Sequence, residues 1–590
     1  MIETKSQHNL SLGNKKIPSW QVDVLILGLW YCIYFLFMLG SRHLSIPDEG
    51  RYPEIAREML TSGNWITPTI NGVPFLDKPI LYYWLEALSM KCFGVNPWAI
   101  RLPQALFGII GCLSLYGFAR VLYSRSVALL ASLILSVSLL YFFAAHYANM
   151  DLIVANLLWI SFFFFICALR IPYPSYKRRL LMYLVYIIAG LAFLTKGLMG
   201  VVFPAMVIII WVLLTKKWRQ LLKIYLPTGI LLFALVVVPW FYLVQKENPD
   251  FLYYFFYYQQ VHRFVGSGFN NQLGPWFYFV IVLAAFLPFS LMLLHRLLPG
   301  LKSIWSNRFR DDTTLLIQLW VVLIFIFFSI PSSKIVGYIL PIIAPLALLI
   351  ALSFEAMINV GIIRKSTKVM HTLASMIFLV IAIGALIYPL IQKEFSTSLL
   401  YISFIPAAIG ALGVFLSLFY SFKNQLKKAL YIIVVSMIIF NASVLTTIPI
   451  FDKKTSQPLV NIIKPYIHKN TVFVSYEDYW EDLPLLLQHH VYVVYPWKQR
   501  NEFESDNWAR EFYFGIQQYQ KTHHSKWPKY LITEEDFAKL WFSSKNIFVF
   551  MDQSKLKQFK YYFSNEKTAI KVYGRYRNVF VVGKIIKPSP

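Results

Sequence analysis

The stretch VLILGLWYCIYFLFMLGSRHLSIPDEGRYPEIAREML, residues 24–60, joins a long apolar run to a segment dense in charge. Residues 46–60 hold one aspartate, three glutamates and two arginines. The apolar run is long enough to cross a bilayer as a helix. It is too long for a typical signal peptide, and no small-residue cleavage site follows it. We therefore expect a retained first span that ends where the charged segment begins.

The rest of the chain has the composition of a polytopic membrane protein. Of its 590 residues 57% are hydrophobic and 14% are charged, whereas soluble domains carry about 25% charged residues. Apolar stretches of about 20 residues recur as far as residue 450, without the alternation that a barrel needs. The thirteen predicted spans are 22–41, 98–119, 127–145, 152–169, 181–195, 198–215, 225–245, 276–294, 314–330, 337–356, 370–391, 399–421 and 429–450.

The charges between these spans predict the orientation of the chain. If residues 1–21 form a cytoplasmic tail, every cytoplasmic connection is basic, as in RVLYSRS, KKWRQLLK and KNQLKK. The alternate connections, including the long loop 42–97, then face the periplasm, and so does everything after residue 450. Much of the formal net charge of +26 follows from this orientation and from anionic lipid at the inner surface. We expect membrane lipids as surroundings and no nucleic-acid partner.

Residues 451–590 change from long apolar runs to short β-branched ones. Thr533 precedes a helix-like segment and is a predicted N-cap. This region holds no nucleotide-binding glycine loop, HExxH motif or Cys-based metal pattern, and we expect His489 and His490 to be structural. The sequence therefore predicts a small periplasmic α/β domain with strands near 471–476, 490–495, 530–535, 547–552 and 578–586.

Ionisable residues concentrate in the connections that this orientation places outside. An ionisable group within or beside a span is costly, and it usually faces a cavity or a partner. We therefore expect these residues to share a polar cavity at the outer leaflet. Its bases suit an anionic ligand such as a phosphate, and its acids suit a base or an amine contact. The residues concerned are Asp48, Arg51, Lys78, Asp151, Lys196, Arg263 and Lys334.

Several charged residues of the loop 42–97 also have a purely structural interpretation. Asp48 precedes a helix and could simply be its N-cap. Arg57 could pair with Glu54 or Glu58 on the solvated face of an amphipathic helix at the membrane interface. Lys78 could snorkel, and the neighbouring aromatic residues could belong to the interfacial belt. Spacing alone does not decide between these interpretations and a binding cavity.

Three segments resemble a known family. IPDEGRYPEIAREMLTSGNWITPTINGVPFLDKPILYYWLEALSMKCFG (46–94) closely resembles the first outer loop of bacterial aminoarabinose transferases. LTKGLMGVVFP (194–204) and PSSKIVGYILPIIAPLALL (331–349) look like two further segments of that family. These enzymes are grouped with the protein-mannosyltransferase-like membrane glycosyltransferases of the GT-C fold. The resemblance covers roughly residues 20–350 and implies that fold.

The resemblance also implies an activity and a site. The family moves a sugar from a polyprenyl-phosphate carrier to an acceptor at the outer face of the membrane, without a cofactor. The best expectation is transfer of aminoarabinose, or another amino sugar, to lipid A. By motif position, Asp48 would be the catalytic acid/base residue with Glu49 beside it, and Arg51, Lys78 and Arg263 would hold the carrier phosphate. The expected substrate contacts are Tyr52, Asp77, Tyr82, Asp151, Lys196 and Lys334.

Other functions stay open at this point. Gly50 stands where many of these transferases have a larger residue, and Asp77 stands where a glutamate is common. The same reaction could therefore serve another sugar, such as mannose, and a protein or polysaccharide acceptor. A flippase or transporter for lipid-linked sugars is a further alternative, although no internal repeat supports it. The chemistry needs no metal, but the acidic loop could bind one.

Overall fold

We describe the chain from a computed structural model. The residues that it describes are 10–12, 15–17, 19–262, 272–290, 309, 311–360, 368–369, 372–380, 383, 397–451, 454–497, 508–543, 545–564 and 568–586. Helices dominate this part of the chain up to residue 451, and a mixed α/β arrangement follows.

The helical part contains fifteen α-helices among the described residues. They are α1 (Ser19–Leu36), α2 (Asp48–Ser62), α3 (Leu81–Phe93), α4 (Pro97–Leu122), α5 (Arg125–Val137), α6 (Leu139–Ala145), α7 (Asp151–Leu169), α8 (Tyr176–Lys196), α9 (Met199–Thr215), α10 (Leu226–Glu247), α11 (Phe277–Ala285), α12 (Asp312–Ser329), α13 (Ile343–Val360), α14 (Thr397–Phe422) and α15 (Leu426–Phe451). Two short hairpins accompany them, β1 (Leu10–Leu12) with β2 (Lys15–Ile17) and β3 (Thr69–Ile70) with β4 (Val73–Pro74).

Within the described ranges, eight helices are long and apolar enough to cross a bilayer. The pair α5 and α6, bent by 66° at Ser138, makes a ninth span if the two helices cross the bilayer together, as the predicted span 127–145 requires. The Ser138 hydroxyl donates to the carbonyl of Ala285 in α11 at 3.1 Å, so the break also ties two helices together. The predicted spans 276–294 and 370–391 run partly outside the described residues. The count of thirteen therefore stays a prediction.

Helix α2 differs from the amphipathic surface helix that its spacing predicted. It ends as expected, because Gly63 adopts φ 73° and donates to the Met59 carbonyl. Its apolar residues are buried, but so are Glu54, Arg57 and Glu58. Arg57 does pair with Glu54, at 2.6 Å, but not in solvent. The prediction of a solvated face is wrong because the C-terminal region covers it.

The C-terminal region is built on one six-stranded sheet. Its strands are β5 (Val472–Tyr476), β6 (Tyr492–Val494), β7 (Leu531–Ile532), β8 (Ile547–Asp552), β9 (Thr568–Tyr576) and β10 (Val579–Ile586), and its helices are α16 (Gln457–Ile463), α17 (Leu483–Leu487), α18 (Trp508–Thr522), α19 (Glu534–Trp541) and α20 (Leu556–Phe563). The strand order is β7-β6-β5-β8-β10-β9, parallel from β7 to β8 and antiparallel beyond. Strands were predicted at five of these positions, and β9 was missed. Thr533 caps α19 as predicted.

This region packs directly on the helical part. Phe514 of α18 stacks on Tyr254 with ring centroids 3.6 Å apart. The backbone of Glu481 and Asp482 lies against Gly50, where a Cβ would come within 2.5 Å of the Asp482 nitrogen. The small residue at position 50 is therefore the one that this close approach requires. The C-terminal region consequently forms part of the surroundings of α2.

Candidate active site

The first turn of α2 is held by a buried carboxylate. Glu49 is fully buried and accepts hydrogen bonds from Arg101 at 2.7 and 3.0 Å and from Arg42 at 2.6 and 2.9 Å. The backbone N–H groups of Ser45 and Ala148 also donate to it. Burial alone would raise the pKa of Glu49, but the charges of the two arginines lower it to about 2. Glu49 is therefore an ionised anchor that joins α2 to its neighbours.

Asp48, the residue that precedes Glu49, lies in a different environment. Its side chain is 24% exposed and has no N-cap hydrogen bond, so the N-cap interpretation does not hold. Asn149 donates to Oδ2 at 2.7 Å, and Arg51 donates to Oδ1 at 3.3 Å. The anchor at Glu49 thus fixes the backbone, while Asp48 stays reachable.

Two cavities meet at Asp48. The smaller one has a volume of about 110 Å³ and a mostly polar wall made of Asp48, Arg51, Tyr52, Phe75, Asp77, Lys78, Asn149, Met150, Asp151, Lys196, Ile335, Tyr338 and Glu511. The larger one, of about 480 Å³, is mainly apolar. Its wall includes side chains from α6, α7 and α15, such as Phe143, Leu152 and Leu445. Asp48, Asn149, Asp151 and Ile335 line both cavities. This junction suits a molecule with a polar head and an apolar tail.

Asp151 and Lys196 form an ion pair on the wall of the polar cavity. Asp151 begins α7 and Lys196 ends α8, so the pair ties the ends of two neighbouring helices. The Lys196 ammonium also lies 4.5 Å from the ring centroid of Tyr338. Asn149 accepts from the Asp151 backbone N–H at 2.9 Å, and it thereby connects this pair to Asp48.

Arg51 is a base of the polar cavity that two acids engage. It pairs with Asp48 and with Glu511 of α18, and its guanidinium lies over the rings of Tyr52 and Phe75 at 5.4 and 5.9 Å. Within the described part of the chain, its Nε–H is buried without a hydrogen-bond partner. An unpaired buried donor of this kind is costly unless a ligand satisfies it.

The structure brings together seven of the eleven residues expected at the site. Asp48, Arg51, Tyr52, Asp77, Lys78, Asp151 and Lys196 all line the polar cavity. Asp77 is buried there and accepts from the Tyr254 hydroxyl at 2.6 Å. Arg263 lies outside the described residues.

Three expected residues lie away from both described cavities. Glu49 is the anchor described above. Tyr82 is fully buried behind Tyr52 and donates to Glu86 at 2.7 Å. Lys334 donates to the carbonyls of Phe328, Ser329 and Pro331, and it thus caps the C-terminal end of α12.

Three polar residues of the smaller cavity were not singled out from the sequence. Asn149 stands two residues before Asp151, and Tyr338 stands four after Lys334, so proximity to a flagged residue could have indicated both. Glu511 gives no such signal, because it lies 460 residues from its partner Arg51.

A second charged cluster lies on α2, farther from Asp48. Glu54, Glu58 and His490 each offer one ligand atom, and these atoms lie within 4.8 Å of one another, as in a metal site. Arg57, however, donates to both oxygens of Glu54 at 2.6 and 2.7 Å. Glu58 accepts from Thr69 and Gly72. The contacts of Glu54 thus lie within α2, those of Glu58 reach the β3–β4 hairpin, and the His490 ring of the C-terminal region lies 3.4 Å from Glu58.

Comparisons with known proteins find relatives of part of the sequence. Residues 77–243 match the family described as dolichyl-phosphate-mannose-protein mannosyltransferase. The chain is 34% identical, over 334 residues, to the undecaprenyl phosphate-alpha-4-amino-4-deoxy-L-arabinose arabinosyl transferase 2 of Proteus mirabilis, and 33% identical, over 352 residues, to an arabinosyl transferase of Aeromonas salmonicida. These matches cover 56% and 59% of this chain, and 59% and 61% of the relatives. The chain thus spans about three fifths of the length of the curated relatives it matches.

The fold comparison extends over nearly the whole chain. The structure matches that of ArnT from Cupriavidus metallidurans bound to undecaprenyl phosphate with a TM-score of 0.78 and 23% identity. The match covers 96% of this chain and 98% of that one. The apo structure of the same protein matches with a TM-score of 0.76. These findings confirm the resemblance drawn from residues 46–94. The chain is a multi-pass inner-membrane protein with the GT-C fold, related in sequence to the aminoarabinose transferases.

Proposed function

We propose that this protein is a glycosyltransferase that moves 4-amino-4-deoxy-L-arabinose, or another amino sugar, from a polyprenyl phosphate to lipid A. The observation that carries the proposal is the junction of the two cavities, where Asp48 lines both the polar chamber and the apolar one and Arg51 lines the polar chamber. A sugar on a lipid phosphate has that same division. The curated relatives are named for the transfer of this sugar from undecaprenyl phosphate, which supports the donor class.

Arg51 and Lys78 supply the positive charge that the reaction needs. As the bond between sugar and phosphate breaks, negative charge develops on the leaving phosphate, and cations beside it stabilise the transition state. Both side chains line the polar cavity, and the buried Nε–H of Arg51 has no hydrogen-bond partner among the described residues. We assign Arg263 to the same phosphate by its position in the family motif. No nucleotide site is needed, because the lipid phosphate already activates the sugar.

Asp48 is the proposed catalytic acid/base residue. If the acceptor is a hydroxyl, Asp48 takes its proton as the oxygen attacks the sugar. If the acceptor is a phosphate oxygen, which needs no deprotonation, Asp48 orients it instead. The hydrogen bond from Asn149 holds the carboxylate at the junction of the cavities in either case. Tyr52, Asp77, Asp151 and Lys196 are the proposed substrate contacts.

The proposed orientation follows from the charges of the loops. The N-terminal tail, residues 1–21, would be cytoplasmic, residues 22–450 would form the membrane domain, and residues 451–590 would form a periplasmic α/β domain. Basic cytoplasmic loops support this orientation. The contact of the C-terminal region with α2 supports it as well, because it requires the loop 42–97 and the C-terminal region to lie on the same side.

The test is a transfer assay with purified protein in detergent, a polyprenyl-phosphate amino sugar and lipid A, followed by mass spectrometry of the lipid. We expect a mass increase of one aminopentose, lost in Asp48→Asn. A product with protein or polysaccharide acceptors, but not with lipid A, would replace the acceptor and keep the reaction. No transfer to any acceptor, with sugar-dependent movement of the donor across vesicles, would favour a flippase.

A further inference from the structure

Three buried polar side chains connect α3 to the segment that carries Asn149. Glu86 and Tyr82, one turn apart on α3, are fully buried, and so is Gln104 of α4. The Tyr82 hydroxyl oxygen lies 2.7 Å from Oε1 of Glu86 and 2.5 Å from the side-chain amide of Gln104. These three side chains form a buried row. It lies outside both described cavities, so substrate contact does not account for it.

The surroundings of the Gln104 amide decide which of its atoms faces Tyr82. One end of the amide lies 3.0 Å from the carbonyl oxygen of Arg101 and 3.3 Å from that of Ile100. Carbonyl oxygens accept hydrogen bonds and cannot donate them, so this end must be the nitrogen. The other end is then the oxygen. It accepts from the backbone N–H of Asn149 at 3.2 Å, and it faces the Tyr82 hydroxyl.

The oxygen atoms of the buried row need two protons between them. The oxygens belong to Gln104, Tyr82 and Glu86, and their successive separations are 2.5 and 2.7 Å. The Gln104 oxygen carries no proton, and the Tyr82 hydroxyl carries one. If Glu86 is a carboxylate, Tyr82 donates to it, and the oxygens of Tyr82 and Gln104 then face each other with no proton between them. A proton on Glu86 completes the row.

The surroundings of Glu86 also favour its protonated form. Its second oxygen, Oε2, is buried and has no hydrogen-bond partner among the described residues. Burial and the negative charge of Glu49 raise the pKa of Glu86 well above its ordinary value. Glu49 differs because it accepts from two arginines, Arg42 and Arg101. One buried acid of this region is therefore paired with cations, and the other is not.

We propose that Glu86 is a neutral carboxylic acid that acts as a positioning residue for Asn149. The positioning role rests on the function proposed above. Glu86 donates to Tyr82, Tyr82 donates to Gln104, and the Gln104 oxygen accepts from the Asn149 backbone N–H. An ionised Glu86 would take the Tyr82 proton for its own hydrogen bond. The Gln104 nitrogen would then turn toward Tyr82, and it would face the Asn149 N–H as a second donor.

The buried row reaches the group that holds Asp48. The Asn149 N–H is shared between Gln104 and the Tyr147 carbonyl, which lies 2.9 Å away. The Asn149 side chain donates to Asp48 at 2.7 Å. Glu86 thus supports the place of the catalytic carboxylate from behind, through two intervening side chains, and it touches no substrate.

Infrared difference spectroscopy of the full-length protein in detergent tests the protonation state. A protonated carboxylic acid has a C=O stretching band that a carboxylate lacks. We expect the spectrum of wild type minus Glu86→Gln to contain this band at neutral pH. Glu535→Gln, at an exposed position of α19, is the matched control and should remove carboxylate bands only. A carboxylate band in place of the C=O band in the Glu86→Gln difference would overturn the proposal.

A second variant keeps this test decisive if Glu86→Gln does not fold. Tyr82→Phe removes the hydrogen-bond partner of Glu86, and it should move the C=O band of Glu86 to higher frequency because the hydrogen bond that weakens the C=O bond is lost. A difference spectrum of wild type minus Tyr82→Phe without any change in this band would overturn the proposal as well.

Transfer kinetics with a polyprenyl-phosphate amino sugar test the positioning role. Glu86→Gln keeps a neutral donor for Tyr82, so its kcat should stay close to that of wild type. Tyr82→Phe interrupts the row and should lower kcat about threefold to tenfold with little change in the KM for the donor, as expected for one lost hydrogen bond. In an Asn149→Ala background the same change should have a much smaller effect. Tyr561→Phe, at an exposed position of α20, is the matched control.

The kinetic results separate this role from the alternatives. If the buried row only supports the fold, Tyr82→Phe lowers Tm and leaves kcat per folded protein unchanged. If Glu86 is needed as a carboxylate, Glu86→Gln lowers kcat as much as Tyr82→Phe does. If Tyr82 acts independently of Asn149, its effect is the same in both backgrounds. Each of these results overturns the proposal. Absence of transfer by wild type would instead overturn the proposed function, and the infrared band would still decide the protonation state of Glu86.

Discussion

Arg101 donates two hydrogen bonds to Glu49, at 2.7 and 3.0 Å, across 52 residues of sequence. The remaining N–H groups of Arg101 reach the carbonyls of Leu39, Arg42 and His43, so one fully buried guanidinium organises the exit from α1 and the start of α2. The place of Asp48 at the cavity junction depends on this anchor, because the two acids are adjacent in the chain.

Glu49→Gln and Arg101→Met should therefore destabilise the fold. Each leaves its partner's charge buried and incompletely paired, which costs about 3–5 kcal/mol. Thermal unfolding in detergent should show a clear decrease in Tm for both variants. Glu535→Gln, at an exposed position, should leave Tm unchanged. A Glu49→Gln protein with wild-type Tm and normal fold would contradict the anchor role.

The same anchor predicts how stability depends on pH. The pKa of Glu49 is about 2 in the folded protein, below its ordinary value of 4.5. A carboxylate with a depressed pKa stabilises the folded state fully above its unfolded pKa, and this contribution is lost as pH falls through the folded value. The difference amounts to about 3 kcal/mol. Wild type should therefore lose more stability between pH 5 and pH 3 than Glu49→Gln does, as measured by chemical denaturation.

Gly50→Ala should loosen the contact between α2 and the C-terminal region. Its Cβ would lie 2.5 Å from the backbone nitrogen of Asp482 and 2.6 Å from the carbonyl carbon of Glu481, and backbone atoms cannot rotate away as a side chain can. Overpacking of this kind costs about 1–3 kcal/mol. Gly117→Ala is the matched control, because a Cβ there meets nothing within 4 Å. We expect a lower Tm and faster proteolysis of the C-terminal region in Gly50→Ala alone.

Local patterns in the sequence predicted the parts of the fold that depend on local physics. Long apolar runs predicted the membrane helices, because a spanning helix must satisfy its backbone internally and face lipid. Short β-branched runs predicted most strands of the C-terminal sheet. The strand TAIKVYGRY, 568–576, was missed although Arg577 and Asn578 follow it as a two-residue turn.

The sequence could not show what covers α2. Its residues Glu54, Arg57 and Glu58 have the spacing of a solvated face, and their burial depends on residues more than 400 positions later, such as Asp482 and His490. The contact of Glu511 with Arg51 could not be predicted for the same reason, because the two residues are 460 positions apart in the sequence. The motif around Asp48 indicated residues that line the polar cavity, but a motif does not distinguish the cavity residue Asp48 from its neighbour, the anchor Glu49.

The two lysines that interrupt or border apolar stretches should behave differently. Lys334 is 2% exposed and donates only to backbone carbonyls among the described residues, so Lys334→Met leaves those carbonyls unpaired. We expect it to lower the stability by about 1–3 kcal/mol and to leave the KM for the donor unchanged. Lys196→Met removes the partner of Asp151 on the cavity wall. We expect Lys196→Met to lower kcat/KM. Equal effects of Lys334→Met and Lys196→Met on the KM for the donor would contradict these two different roles.

Asn149 is predicted to be a positioning residue for Asp48. Its amide nitrogen donates to Asp48 at 2.7 Å, and its amide oxygen accepts from the Asp151 backbone N–H at 2.9 Å. The contact with Asp151 fixes the orientation of the amide group, and the amide group in turn holds the Asp48 carboxylate. Asn149→Ala removes both contacts and allows Asp48 to rotate. We expect kcat to decrease about tenfold with little change in the KM for the donor, because small misplacements of a catalytic group are costly.

A second variant, Asn149→Asp, tests the same role of Asn149 by its effect on kcat. It keeps the size of the side chain but places a third carboxylate between Asp48 and Asp151, so kcat should be lower than in Asn149→Ala. Asn461→Ala, at an exposed position of α16, controls for loss of an asparagine. A merely structural role would lower Tm and the amount of active protein without changing kcat per active site. A group that orients Asp48 should instead give normal Tm and normal KM in both variants. Its kcat should decrease from wild type to Asn149→Ala and decrease again in Asn149→Asp.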